Sequence, residues 1–264
     1  MRSFSGTADQ HTAGARSLRI SLRATLRATL RATQRVTLTR VIDAVCFDLD
    51  GTIGGFAGDF AGLLSLVRTE LMLEQCTMNS FADIVKQELV RDGPLTLKLV
   101  LERTLERLEQ RPQVDLDLLS REIAAAYAAE VRQAQGAAAL LARLDGKGIR
   151  LALLSNGPED MQRAALAELG FERYFRVVLI SGDSDVAVRK PGARIFTLAC
   201  VGLETAPEHA LMVGNDARAD IGGALASGLQ AVLIGSDRDA QEFGVPAVGG
   251  LEPLDTLLHT RFGV

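Results

Sequence analysis

The chain has 264 residues, 47% of them apolar and 23% charged, with a formal net charge of −4. That length supports one large core, or one core with a smaller attached domain, and no run approaches the ~20 apolar residues a membrane span needs. Three scattered cysteines, Cys46, Cys76 and Cys200, give neither a disulfide framework nor a C-x-x-C zinc pattern and fit a reduced, cytoplasmic setting. Trp is absent and only two Tyr occur, so a base-stacking surface has little to build on.

The charge is unevenly spread. Residues 1–40 carry eight arginines against Asp9 alone, which leaves the remainder at −11. An acidic body argues against nucleic acid as the partner of the folded part. Within the basic segment "LRATLRATLRAT" repeats every four residues, a spacing that would line arginines along one helix face. Three readings apply: a disordered low-complexity extension, a transit peptide to an organelle, or a basic arm for anionic surfaces. None makes residues 1–40 part of the main fold.

From Val41 the pattern changes. "VIDAVCFDLD" is a β-rich apolar run ending in acids, and further runs follow at 149–156, 175–181, 209–216 and 229–235. Between them the periodicity predicts helices at Glu159–Leu169, Ala193–Val201 and Ala217–Ala226, with Gly170, Gly202 and Gly228 as C-terminal caps. Strands alternating with helices predict an α/β fold whose parallel sheet is covered on both faces. Between Gly55 and about Gln135 no strand is evident. Four stretches of helical spacing, punctuated by "RDGP" and "RPQVD", predict a small all-α domain inserted after the first strand. The expected division is residues 41–55 and 136–264 for the sheet domain and 56–135 for the helical one.

Polar clusters stand at the carboxyl ends of the strands, where open α/β sheets carry their sites. Asp48 and Asp50 lie one residue apart and would repel one another unless a cation intervenes. Mg2+ answers that need, since a hard dication takes carboxylate and carbonyl oxygens and neutralises an incoming phosphate. "VGNDARAD" offers a third acid, Asp216, with Asp220 four residues on. Phosphoryl transfer also needs fixed donors and a positive charge. Ser155 supplies a hydroxyl, the Asn156 and Gly157 amides stand where a helix begins, and Lys190 supplies an ammonium. Pro191 is expected at the start of the following helix.

The ordered motifs "DLDGT", "LLSNG", "RKPGARIF" and "VGNDARADIGGALASG" resemble those of haloacid dehalogenase-like hydrolases, over about Ile42 to Leu258. The resemblance implies a Rossmann-like core with an α-helical cap. It further implies Asp48 as a nucleophile forming an aspartyl-phosphate and Asp50 as general acid/base. Ser155 and Lys190 would hold phosphoryl oxygens. Mg2+ would be bound by Asp48, the Asp50 carbonyl and Asp216, with Asp220 nearby. Thr52 could hydrogen-bond within its motif and belongs with Ser155, Asn156, Gly157 and Lys190 on the substrate side. One departure stands out: the fourth motif more commonly begins Gly-Asp, and here Asn215 holds that place. Either Asp216 is the ligand with a shifted loop, the arrangement favoured here, or Asn215 fills the position with weaker affinity.

The resulting expectation is a Mg2+-dependent phosphatase acting on a small phosphorylated metabolite. The alternatives are a phosphotransferase such as a sugar-phosphate mutase, and a non-catalytic regulatory relative. Halide displacement needs no acid for the leaving group, and Asp50 argues against it. His11, His209 and His259 are isolated, and Cys46 and Cys200 sit in apolar runs, so neither a His-based site nor an activated thiol is expected.

Overall fold

The computed structural model describes residues 42–264; the readings made for residues 1–40 lie outside it. Strand β1 (Ala44–Phe47) is buried along its whole length, as a strand flanked by neighbours on both sides and layered on both faces must be. It runs parallel to β4 (Arg150–Ser155) on one side and β6 (Ala210–Gly214) on the other. With β5 (Val177–Ile180), β7 (Gln230–Ile234) and β8 (Ala247–Val248) these form a six-stranded parallel sheet of order β5-β4-β1-β6-β7-β8.

The two-residue period of the strands splits their side chains between two apolar layers. Val45, Phe47, Leu151, Leu153, Leu211 and Val213 face one way. That layer is closed by α5 (Ala137–Gly146), α6 (Glu159–Leu169) and α9 (Leu251–Leu257). Ala44, Cys46, Ala152, Leu154, Ala210 and Met212 face the other way, under α7 (Ala193–Leu203). After β1 the chain crosses to β4 and β5, then returns to β6 on β1's opposite side. The crevice past the ends of β1 and β6 is therefore the switch point at which such sheets carry their ligands.

The helical stretch comprises α1 (Phe60–Glu70), α2 (Met78–Leu89), α3 (Leu97–Arg107) and α4 (Leu116–Ala129). Thr77, Thr96 and Asp115 cap three of these N-termini by accepting backbone N–H groups. The inward stripes meet in an apolar cluster of their own that includes Val67, Phe81, Val85, Leu101 and Ile123.

Several local expectations need correction. The region expected to lack strands begins and ends in a short antiparallel pair, β2 (Gly54–Phe56) with β3 (Val131–Gln133). Three residues are too few to display an alternation, and two of those in β2 are glycines. The predicted helix over Ala217–Ala226 divides into a π-helical turn, Ala217–Gly222, and a short α8 (Gly223–Ala226). Gly202 is not a cap: it lies inside α7, where an added Cβ would approach Val177 to 2.7 Å. Glu204, at φ +53°, ends that helix instead. Pro191 precedes the helix, whose N-cap is Gly192; the Lys190–Pro191 peptide is cis. Gly170, at φ +67°, does end α6.

Among the described residues no helix is long and apolar enough to cross a membrane.

Candidate active site

The turn after β1 sets the first pair of carboxyls. Asp48 remains in the sheet's hydrogen-bond pattern, its N–H donating to Val213 O at 3.0 Å. The chain then folds back, with the N–H groups of Thr52 and Ile53 both donating to Leu49 O at 3.2 Å. Gly51 makes the reversal at φ +80°, a conformation that disfavours any side chain. Asp48 and Asp50 consequently look into one open cavity of about 250 Å3, which Ser155, Lys190, Asn215 and Asp220 also line.

Lys190 is the hub of this cavity. Its ammonium lies 2.6 Å from Asp48 Oδ1 and 2.8 Å from Asp220 Oδ1 and donates to Leu154 O at 2.6 Å. Asn156 holds the lysine's backbone in place: its Oδ1 accepts from Lys190 N–H at 2.9 Å and its Nδ2 donates to Lys190 O at 3.1 Å. Burial pulls the lysine's pKa down, but Asp48 and Asp220 outweigh it and hold the ammonium charged. Burial pushes Asp48 up against the pull of Lys190, and raises Asp220 to about 6.

Asp50 has different surroundings. Gln162 Nε2 donates to its Oδ2 at 3.2 Å and the Tyr127 hydroxyl donates to its Oδ1 at 3.2 Å. Burial pushes the Asp50 carboxyl upward, and these two donors oppose that rise.

The other residues singled out from sequence fall as follows. Ser155 is buried at the end of β4, its hydroxyl donating to Gln162 Oε1 at 2.8 Å. The Gly157 N–H is taken by Ser181 Oγ at 3.0 Å and so does not point into the cavity as expected. Thr52 hydrogen-bonds within its motif as expected, its hydroxyl donating to Asp48 Oδ2 at 3.4 Å. Its place on the substrate side is what needs correction, since it is buried and does not line the cavity.

The fourth motif reverses the preferred choice. Asp216 is exposed, and its Oδ1 accepts from the N–H groups of Arg218 and Ala219 at 2.9 and 2.7 Å, capping the turn that follows β6. Asp220 is engaged on both oxygens, by Lys190 and by the Asp216 N–H at 3.0 Å. One end of the Asn215 carboxamide instead lies 3.2 Å from Asp48 Oδ2 and 3.1 Å from Asp50 O. The physical reason is chain length: the residue directly after β6 faces the end of β1, and the next has already entered a helical turn. With its oxygen inward, Asn215 completes a set of three oxygens, which is the donor chemistry a hard dication takes. Asp216 lines the same cavity, but its Oδ1 is turned onto the N–H groups of Arg218 and Ala219, whereas the Asn215 carboxamide is the group that reaches Asp48 and the Asp50 carbonyl.

Sequence reasoning missed Tyr127 and Gln162. Each stands on the buried stripe of an amphipathic helix, Tyr127 beside Ile123 and Ala124 and Gln162 beside Ala165, Leu166 and Leu169. A polar residue on such a stripe was the available signal. Arg189 was also missed. It lines the cavity and ties it to α2 and the loop beyond, its guanidinium donating to Leu89 O at 3.2 Å and its N–H to Asp92 Oδ1 at 3.0 Å.

Comparison with known proteins agrees with this geometry. A family model described as haloacid dehalogenase-like hydrolase matches residues 42–228. The phosphoserine phosphatase of Thermus thermophilus is 40% identical over 118 residues, 44% of this chain and 47% of that enzyme, so the match spans about half of its length. The ribulose-1,5-bisphosphate 5-phosphatase of Halopiger xanaduensis is 31% identical over 75% of this chain and 88% of its own. The crystal structure of a HAD phosphatase from Thermococcus onnurineus shares the fold at a TM-score of 0.62 and 22% identity, covering 82% of this chain and 98% of that one. The family match spans Asp48, Ser155, Lys190 and Asn215 alike, and this chain belongs to the haloacid dehalogenase-like hydrolases.

Proposed function

We propose that the protein is a Mg2+-dependent phosphatase of small phosphomonoesters that works through an aspartyl-phosphate on Asp48. The observation that carries this reading is the ion pair of Lys190 with Asp48 at 2.6 Å, in a cavity that Asp50 enters from two residues away. The ammonium gives the Asp48 carboxylate a counter-charge against the burial that opposes its ionisation, and a carboxylate so placed is the group available as nucleophile. A second carboxyl pushed upward by burial is suited to carry and release a proton.

The steps follow from these roles. An Asp48 oxygen attacks phosphorus as the bond to the ester oxygen breaks, and Asp50 gives its proton to that departing oxygen. Asp50 then takes a proton from water, whose oxygen attacks the same phosphorus. The bond to Asp48 breaks and inorganic phosphate leaves. Lys190 and the Ser155 hydroxyl are the donors for the phosphoryl oxygens, Lys190 shifting from Asp48 toward the incoming charge. Asp48, the Asp50 carbonyl and Asn215 are the residues that would hold Mg2+, which when bound supplies positive charge against the negative charge of the phosphoryl group. Helices α1–α4 would serve as the cap over the cavity and select the substrate. The relatives named for phosphoserine and ribulose-1,5-bisphosphate support a small phosphorylated metabolite in that role.

The test is release of inorganic phosphate from a panel of phosphomonoesters, with and without Mg2+, by wild type and Asp48→Asn. Metal-dependent release that the variant lacks supports the reading. Equal release by both proteins removes Asp48 as nucleophile, and an isomerised substrate without free phosphate would mark a phosphotransferase.

A further inference from the structure

Asp50, which the proposed reaction uses as acid and then as base, is not left to find its own orientation. Both of its carboxyl oxygens are met by buried donors from outside its own turn, Gln162 of α6 and Tyr127 of α4. Tyr127 is 4% and Gln162 3% exposed, and a buried polar group is costly to leave without its partner. Each therefore holds what it touches.

The orientation of Gln162 is fixed by its other end. Its Oε1 accepts from the Ser155 hydroxyl at 2.8 Å, which turns the –NH2 toward Asp50. Space is set aside for it as well: a Cβ on Gly157 would approach Gln162 Nε2 to 2.9 Å. Tyr127 is held as firmly, its ring stacked on Phe56 of β2 at 4.8 Å and 3°. The carboxyl of Asp50 is thus gripped between the helix that follows β4 and the last helix of the insert.

We propose that Gln162 and Tyr127 are positioning residues that hold the Asp50 carboxyl in line with the leaving oxygen, and that Gln162 links it to the phosphoryl-binding hydroxyl of Ser155. This inference rests on the phosphatase reading of the same site. Neither residue bonds to the reacting atoms; both act through Asp50. Arrival of a phosphoryl oxygen at Ser155 competes with Gln162 Oε1 for the hydroxyl, so the amide that steadies the acid senses whether the phosphoryl position is filled.

The experiment separates a positioning role from a merely structural one by the leaving group. An alkoxide needs a proton as its bond to phosphorus breaks, whereas p-nitrophenolate leaves without one. Tyr127→Phe removes only the hydroxyl; Gln162→Glu keeps an acceptor for Ser155 and removes the donor to Asp50. Both variants, and Gln162→Leu, are compared in full-length protein with Mg2+ on an alkyl phosphomonoester and on p-nitrophenyl phosphate, with thermal unfolding as the control for folding.

On the alkyl ester kcat should fall at least about tenfold with KM within about threefold of wild type, a share of the 10²–10⁴-fold that a general acid contributes. On p-nitrophenyl phosphate each variant should release one p-nitrophenolate per active site in a rapid burst. Slow turnover should follow, because the loss falls on the later attack of water. An unchanged ratio of alkyl to aryl rates with no burst, in variants that melt as wild type does, overturns the inference and leaves the phosphatase reading standing. Turnover that survives Asp48→Asn overturns both.

Discussion

Lys190 Nζ and Asp220 Oδ1 lie 2.8 Å apart, with the two side chains only 2% and 1% exposed. Asp48 faces the same ammonium from the other side, so one positive charge separates two buried carboxyls. Removing the lysine leaves both without their counter-charge, and breaking such an arrangement from one side costs about 3–5 kcal/mol. Lys190→Met should therefore lower Tm by roughly 10 °C and abolish turnover. Asp220→Asn, which keeps the shape and the ammonium's other partner, should melt closer to wild type while kcat falls. Thermal unfolding beside steady-state kinetics checks both, and a Lys190→Met protein as stable as wild type would refute the hub role.

Asn215 and Asp216 are adjacent in sequence and differ in task. A neutral amide contributes less to cation affinity than a carboxylate, since ligand charge tunes such sites. Asn215→Asp should tighten the Mg2+ dependence of turnover on the order of tenfold, and Asn215→Ala should weaken it. Asp216→Ala should remove a helix cap, at about 1 kcal/mol, with the Mg2+ dependence unmoved. Titration of activity with Mg2+ for the three variants separates them. A loss of metal dependence confined to Asp216→Ala would restore Asp216 as the ligand.

What the sequence conveyed and what it concealed follow from range. The parallel sheet was legible because β1, β4 and β6 are apolar runs whose burial is nearly uniform along the chain, and periodicity over five or six residues is a local signal. β2 was not, since Gly54–Phe56 is held by pairing with Val131–Gln133, more than seventy residues on. At the site, Asp48 and Asp50 were recoverable from the motif at the end of β1, and Lys190 from the motif in the loop that leads from β5 into α7. The choice between Asn215 and Asp216 was not, because it depends on where β6 stops and a helical turn begins. Gln162 and Tyr127 needed the folded arrangement, in which α6 and α4 bring their polar tips to Asp50 across 112 and 77 residues of chain.

Gly51 carries two constraints that any side chain would break. It adopts φ +80°, and a Cβ there would stand 2.3 Å from Asn215 Nδ2. Gly51→Ala should cost about 1–3 kcal/mol in backbone strain and push the Asn215 carboxamide away from Asp48. The expected result is a larger loss in Mg2+ response than in stability, read from metal titration and thermal unfolding. Activity and Mg2+ response equal to wild type would mean that the carboxamide's place beside Asp48 is immaterial.

Glu88 lends the helical insert a dependence on acid. Its carboxylate is 1% exposed, with Oε1 accepting from Arg107 at 2.9 Å and Oε2 from Arg91 at 3.1 Å. Burial alone would raise its pKa, but the hydrogen bonds from Arg107 and Arg91 outweigh burial and bring it below the ordinary 4.5. The unfolded chain then binds a proton more readily than the folded one. The stability this group confers is complete above the ordinary glutamate value and is lost as pH falls through the lower, folded value. Glu88→Gln should be less stable than wild type near neutrality by about 1–3 kcal/mol, and the two melting curves should converge in acid. Thermal unfolding of both proteins at about pH 7 and at about pH 3 measures this, and a difference that stays constant across the interval would show that the charge on Glu88 does not hold the insert together.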